Sequence, residues 1–265
     1  MTYKAKKISI IGLGWLGKAL AKLLLKDGHA VRGTVSSQQK CEHMVAEGIE
    51  SSVFRLGEKV HSDLLDCDVL IYTIPPKGEN YLSLLDDFIA QVPHAPQLIF
   101  ISSTSVYPNL NRVVTEEDAA DIPSPHTGIS LLKAEGLFVK HQLTPNIIRF
   151  AGLFGGDRIP GRFLAGKQNV SGAESPVNLI HQEDCIGLIR AIINKNSKGL
   201  IINGCADSHP TKKEFYSVAA QKAGLKAPTF SNETTDYKII SNTHSKETLG
   251  YAYKHSDVIA ALDLI

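Results

Sequence analysis

Three glycines at GxGxxG spacing, Gly12, Gly14 and Gly17, stand inside the run ISIIGLGWLG at residues 8–17. Four β-favouring residues lead into them and an apolar-periodic segment, 16–25, follows at once, which predicts strand, tight turn and helix in that order. A helix N-terminus offers backbone N–H groups and a partial positive charge, and both suit a pyrophosphate. The first glycine permits the turn, the second leaves room for the phosphates, and the third lets helix pack on strand. Glycines also shape such turns where nothing binds; the strand before them and the helix after them point to a dinucleotide. Trp15 and Leu16 open that helix and belong to the same expected site.

The nucleotide's far end is read from the next strand, 29–35. NAD sites commonly place a carboxylate near its end, about 20 residues past the glycines, to accept from the ribose 2′-hydroxyl. No Asp or Glu occurs between Asp27 and Glu42. Arg32, Thr34, Ser36, Ser37 and Lys40 stand there instead, donors that a 2′-phosphate would accept. NADP is therefore favoured over NAD, although strand ends are often simply polar. Thr73, Ile74 and Pro75 close a buried strand, 68–74, and are expected to meet the cofactor through their backbone; the Pro75-Pro76 pair stops that strand.

These residues need a scaffold. Strands at 51–54, 68–74 and 97–102 alternate with helices at 38–47 and 79–92, the pattern of a parallel, doubly wound α/β sheet. Further strands are expected at 146–150 and 199–203, a helix at 185–194, and a strand-like piece at 237–240 before a helical tail.

Four later motifs, SSTSVYP (102–108), IIRFAGLFG (147–155), NLIHQED (178–184) and a closing LGYAY (249–253), come in an order that resembles the extended short-chain dehydrogenase/reductase family of nucleotide-sugar epimerases and dehydratases. The resemblance implies a Rossmann domain over 1–155, its sheet completed by 176–204. A small substrate-binding region would be built from 156–175 and 205–265, with Arg158 and Arg162 as possible phosphate contacts. It implies that Ser103 hydrogen-bonds the reacting oxygen, and that two chains pair through exposed helices. The family also carries a Tyr four residues before a Lys on one helix. Aligning TGISLLKAE on that motif puts Thr127 and Leu131 in their places. Lys133 lies roughly 240° around the helix from Thr127 and points elsewhere. His126, with an ordinary pKa near neutrality, is the candidate for proton transfer. Tyr107 is either a phenol for the substrate or a packed aromatic. Arg149 meets an anion or, more in keeping with the family, holds structure.

Composition narrows the partners. A formal net charge of +1 with no basic block argues against nucleic acid or a membrane surface. No apolar run reaches the ~20 residues that a membrane helix needs. Cys41, Cys67, Cys185 and Cys205 form no CxxC pair, so reduced thiols and a cytoplasmic setting are expected. His181, Glu183 and Asp184 suggest a metal, but no second histidine stands at ligand spacing, and no metal is expected; Asp184 is read as a cap or pin for the helix after it. The leading expectation is an NAD(P)-dependent oxidoreductase or epimerase-like enzyme acting on a polar, hydroxyl-bearing small molecule such as a nucleotide sugar. A catalytically silent NAD(P)-binding sensor is the alternative. A hydroxyacid dehydrogenase, suggested by GxGxxG in place of the extended family's GxxGxxG, ranks third because the chain after 155 is too broken for the long helix of an all-α domain.

Overall fold

The computed structural model describes residues 4–94, 96–119 and 128–264. In chain order it contains β1 (Lys7–Ile11), α1 (Trp15–Lys26), β2 (Ala30–Val35), α2 (Gln38–Ala46), β3 (Glu50–Val53), α3 (Ser62–Leu65), β4 (Val69–Tyr72), α4 (Tyr81–Ile89) and β5 (Gln97–Ser103). Then come β6 (Val113–Val114), α5 (Ile129–Lys140), β7 (Asn146–Phe150), β8 (Gly152–Phe154), α6 (Gly161–Leu164), β9 (Leu179–His181) and α7 (Gln182–Lys195). β10 (Ile201–Gly204), α8 (Lys212–Lys222), β11 (Ile239–Ile240) and α9 (Thr243–Leu249) complete the regular elements.

Seven strands form one sheet in the order β10-β7-β5-β4-β1-β2-β3. β1 lies centrally, with Ile8 opposite Val31 on one side and Val69 on the other, both pairings parallel. Ile8 through Ile11 are all buried, as a strand covered on both faces requires. The chain winds outward to β3 and then returns to β4, so the winding direction reverses between β1 and β4. In open α/β sheets the crevice at such a reversal, beyond the carboxyl ends of the strands, is where ligands bind. This is the doubly wound Rossmann-type fold that the alternation of elements implies. α1 buries Leu16, Leu20, Ala21 and Leu24, a helical stripe laid on the sheet. Gly28, at φ +86°, turns the chain back into β2.

The chain divides into two compact units, each drawn from three segments. The first holds Met1–Ser102, Ile129–Ile148 and Ile189–Ile201. Its core includes a relay of rings in which Phe100 touches Tyr72 and Phe138, with centroids 5.7 and 5.0 Å apart. Gln97 gives its amide to the carbonyls of Ile192 and Ser197, fixing the start of β5 to the end of α7. Ser102 donates to the buried Glu135 carboxylate at 2.6 Å and so ties β5 to α5.

The second unit holds Ser103–Gly128, Arg149–Leu188 and Ile202–Ile265. Its core gathers Phe154, Val177, Leu179, Phe215, Val258 and Leu262. Two short parallel pairs, β8 with β9 and β6 with β11, frame it. α6 crosses α8 closely: a Cβ on Gly161 would lie 2.3 Å from the Ala219 carbonyl oxygen.

Candidate dinucleotide site

The glycine loop is held by side chains from the two neighbouring strands. Gly12, at φ +110°, gives its N–H to Thr34 Oγ1 at 3.0 Å and accepts at its carbonyl from Thr73 Oγ1 at 2.6 Å. A Cβ on Gly12 would lie 2.7 Å from that Thr73 oxygen, so conformation and space both demand glycine. A Cβ on Gly17 would stand 2.2 Å from the Gly12 carbonyl oxygen; its absence lets α1 sit on the turn. A Cβ on Gly14, in contrast, meets nothing within 4 Å. Gly14 is the N-cap of α1, which has no side-chain cap and no acidic residue in its first turn. Open space before an uncapped helix N-terminus fits a pyrophosphate.

A cavity of about 320 Å³ extends from this loop along the ends of β1, β2, β3 and β4. Gly12, Gly14, Thr73, Ile74 and Pro75 line it, together with Leu13, Phe54 and Leu56, so that most of its wall is apolar. Its polar rim is Thr34, Ser36, Lys40 and Arg55, and no carboxylate lines it among the described residues. Arg55 Nε donates to the Ser36 carbonyl at 3.2 Å, and Lys40 Nζ donates to Ser36 Oγ at 3.4 Å. Two cations therefore converge on Ser36, the first residue beyond β2.

The structure distributes the other expected residues differently. Arg32 lies in β2 two residues before Thr34, about 6.6 Å further from the carboxyl end. It donates to the Asp63 carbonyl at 3.1 Å and faces Glu50, lining a separate hollow with His61 and Asp63. Arg55, which sequence reasoning missed, takes the rim position from the end of the neighbouring strand. Ser37 Oγ caps α2 by accepting from the Lys40 N–H. Leu16 is buried under α1 and Trp15 is half-buried; neither they nor Gly17 line the cavity.

The SSTSVY segment leaves β5 through a single 3₁₀ turn, Thr104–Val106, capped by Ser103 Oγ accepting from the Ser105 N–H at 3.1 Å. This contact uses a lone pair on Ser103 and leaves the hydroxyl hydrogen for another acceptor. Gly128 seats against the same turn, since a Cβ there would lie 2.0 Å from the Ser105 carbonyl oxygen. Tyr107 is 1% exposed. Its hydroxyl donates to Asn203 Oδ1 at 2.6 Å and accepts from Arg149 at 2.9 Å. Burial pushes the phenol up to about 12, against the pull of the Arg149 guanidinium. Of the two readings of Tyr107, the structure shows the packed aromatic, and the phenol is not placed to serve a substrate. Arg149 also donates to the Glu116 carbonyl, and its buried side chain holds structure. Leu131 is buried on α5, Lys133 is exposed, and Arg158 and Arg162 are exposed on and beside α6. His126 and Thr127 lie outside the described residues.

The NLIHQED segment forms β9 and the first turn of α7. Asp184 lies within the helix, fully buried, and does not cap it. It accepts from the Tyr251 hydroxyl and from the N–H groups of Lys254 and His255 at 2.8, 2.8 and 3.0 Å, pinning the LGYAY tail. His181 is 5% exposed, and burial, aided by the nearby His255, holds its pKa below the ordinary value.

Fold, glycine loop and cavity together define a Rossmann-type dinucleotide-binding α/β protein. The NAD binding domain of 6-phosphogluconate dehydrogenase, as a family, matches residues 7–130. The chain belongs to the family of protein YeeZ of Escherichia coli K12, to which it is 36% identical over 270 residues, covering 95% of this chain and 97% of YeeZ. A functionally unknown conserved protein from Silicibacter pomeroyi DSS shares the fold with a TM-score of 0.81 and 23% identity, covering 98% of this chain and 97% of that one. UDP-glucuronic acid 4-epimerase from Bacillus cereus, solved in complex with NAD, does so with a TM-score of 0.78 and 21% identity, covering 97% and 96%. Among the described residues no helix is long and apolar enough to cross a membrane.

Proposed function

We propose that the chain is an NAD(P)-dependent oxidoreductase or epimerase-like enzyme that prefers NADP and acts on a polar, hydroxyl-bearing small molecule of the nucleotide-sugar class. The carrying observation is the cationic rim of the cavity, Lys40 and Arg55 meeting at Ser36, with no carboxylate in its lining among the described residues; Glu58, which accepts from the Arg55 N–H at 2.9 Å, does not line the cavity. In this reading Gly14 and the first turn of α1 receive the pyrophosphate, and Arg55 and Lys40 hold the 2′-phosphate. The bound nicotinamide supplies a hydride acceptor and donor. Ser103 gives its hydroxyl hydrogen to the reacting oxygen, and His126 or water carries the proton. The nucleotide-sugar class draws support from the Bacillus cereus epimerase, which shares the fold. Buried, unpaired thiols at Cys185 and Cys205 are in keeping with a cytoplasmic setting.

The test is NADPH and NADH binding, side by side, by nicotinamide fluorescence. Arg55→Ala removes one charge-assisted contact worth about 1.5–3 kcal/mol, so NADPH weakens by roughly 10- to 150-fold while NADH changes little. Equal loss for both cofactors refutes the 2′-phosphate assignment. A second reading, a catalytically silent NADP-binding sensor, is favoured by one observation: buried Leu131 stands where the family's lysine belongs. Incubation with UDP-sugars, aldehydes and ketones separates the two. Turnover that falls in Ser103→Ala supports the enzyme; tight NADPH binding with no turnover across that panel supports the sensor.

A further inference from the structure

The second unit brings together three metal-capable side chains that the sequence keeps apart: His181 at the end of β9, Glu183 in the first turn of α7, and His255 beyond α9. One ligand atom from each lies within 4.8 Å of the other two. We propose that these residues form a site for one divalent transition metal of the zinc class, with a fourth position left to water. Two imidazoles and a carboxylate are a donor set that zinc accepts in tetrahedral geometry.

One of the three separations already suits such an ion, and the third ligand must draw in as it binds. Zinc bonds of about 2.0–2.2 Å at tetrahedral angles put neighbouring ligand atoms roughly 3.4 Å apart. His255 Nε2 and Glu183 Oε2 already stand 3.3 Å apart. His181 Nδ1 faces the same helical turn and accepts from the Glu183 N–H at 3.3 Å, a long bond that an ion at Nδ1 would have to replace. The opposite edge of that ring is packed against Gly155, where a Cβ would lie 2.5 Å from Nε2. The ring also meets Phe154 and His255, with centroids 5.3 and 4.2 Å away.

The ligand-bearing segments are fixed before any ion arrives. Asp184 adjoins Glu183 in α7 and binds the N–H groups of Lys254 and His255, so the backbone that carries one ligand is fastened beside another. Such outer support orients ligands and strengthens metal sites. The Asp184 and Glu183 carboxylates also offset the positive end of α7, which would otherwise oppose a cation. Lys254 Nζ shares Glu183 Oε2 at 3.3 Å, but its side chain is 68% exposed and can swing into solvent as the ion enters. A bound ion would clasp the tail segment to the β9–α7 junction.

Full-length protein stripped with a chelator is titrated with ZnCl₂ against a chromophoric competitor, and separately with CoCl₂ to read the visible absorption of tetrahedral cobalt. The expected result is one ion per chain, a cobalt spectrum of tetrahedral type, and a melting temperature raised by zinc. Glu183→Gln and His255→Gln each weaken zinc by about 10- to 100-fold or more. His61→Ala, an exposed histidine of the first unit, leaves it unchanged. Glu183 is half exposed, so its substitution tests the ligand without emptying the core. Stoichiometry well below one, or wild-type affinity in Glu183→Gln, overturns the proposal and leaves a surface ion pair among Lys254, His255 and Glu183. Neither cofactor nor substrate enters this measurement, so its outcome is independent of the proposed enzyme function.

Discussion

Deleting one oxygen from Tyr107 separates a structural phenol from a chemical one. In Tyr107→Phe the ring still fills its place in the core, so no large cavity opens. The lost atom is the donor to Asn203 Oδ1 and an acceptor from Arg149, and both groups are buried. Arg149 keeps the Glu116 carbonyl at 2.9 Å. Asn203 keeps its bonds to Ser241 and Glu116, but its side-chain oxygen loses this hydroxyl. An orphaned buried acceptor costs about 1–3 kcal/mol, and a lost charge-assisted bond adds to it, for roughly 2–4 kcal/mol in total. For a chain of this length 1 kcal/mol shifts the melting temperature by about 2 °C, so a fall of about 4–8 °C is expected. Differential scanning calorimetry supplies that number, and fluorescence titration of NADPH on the same preparation should show unchanged affinity. Ultraviolet titration of the folded wild type should show this phenol protonated until the pH approaches 12, as its raised pKa requires. Unaltered stability combined with lost turnover would refute the structural assignment and return Tyr107 to the reacting site.

Two further outcomes follow from single contacts. Gly17→Ala forces a methyl against the Gly12 carbonyl oxygen at 2.2 Å; overpacking of this kind costs about 1–3 kcal/mol. Because the displaced atoms shape the phosphate loop, NADH and NADPH affinities should fall together in fluorescence titration, unlike the selective loss in Arg55→Ala. Asp118 is held at about 2 by Arg112, whose guanidinium meets both carboxylate oxygens, and by the Thr115 N–H. The folded value lies below the ordinary 3.8, so this carboxylate's contribution to stability is complete above about pH 4 and is lost as pH falls through about 2. A carboxyl-carbon NMR titration with a midpoint near 3.8 would contradict the pairing.

What the sequence makes legible depends on how local the signal is. The β1–α1 turn reads directly because its three glycines answer to constraints within a few residues: the Gly12 conformation, the space before Gly14 and the seat of Gly17. The alternation of longer strands and helices suffices for the doubly wound sheet. Arg55 escapes because its place on the rim is set by β3 lying beside β2, and β3 is short, polar and without a phosphate-site pattern. Arg32 draws attention by its distance from the glycines, yet strand geometry lowers it below the rim. The same holds for His255, brought to His181 by Asp184, and for Tyr107, whose partner Asn203 lies 96 residues away. Pairs such as β8–β9 and β6–β11, two or three residues long, carry no periodicity to detect.

The assembly of each compact unit from three separate segments bears on how the molecule is made. The first unit receives its last segment at Ile189–Ile201, and the second is not complete until the C-terminal residues are added. On the ribosome, therefore, the glycine loop and most of its supporting strands emerge long before β7 and the end of α7 that finish their unit. A truncation near residue 155 yields an open sheet lacking β10, with apolar edges that invite aggregation. Nascent chains of this protein are thus expected to need holding through most of translation. Because the segments of the two units alternate along the chain, no single cut yields the cofactor-binding unit on its own.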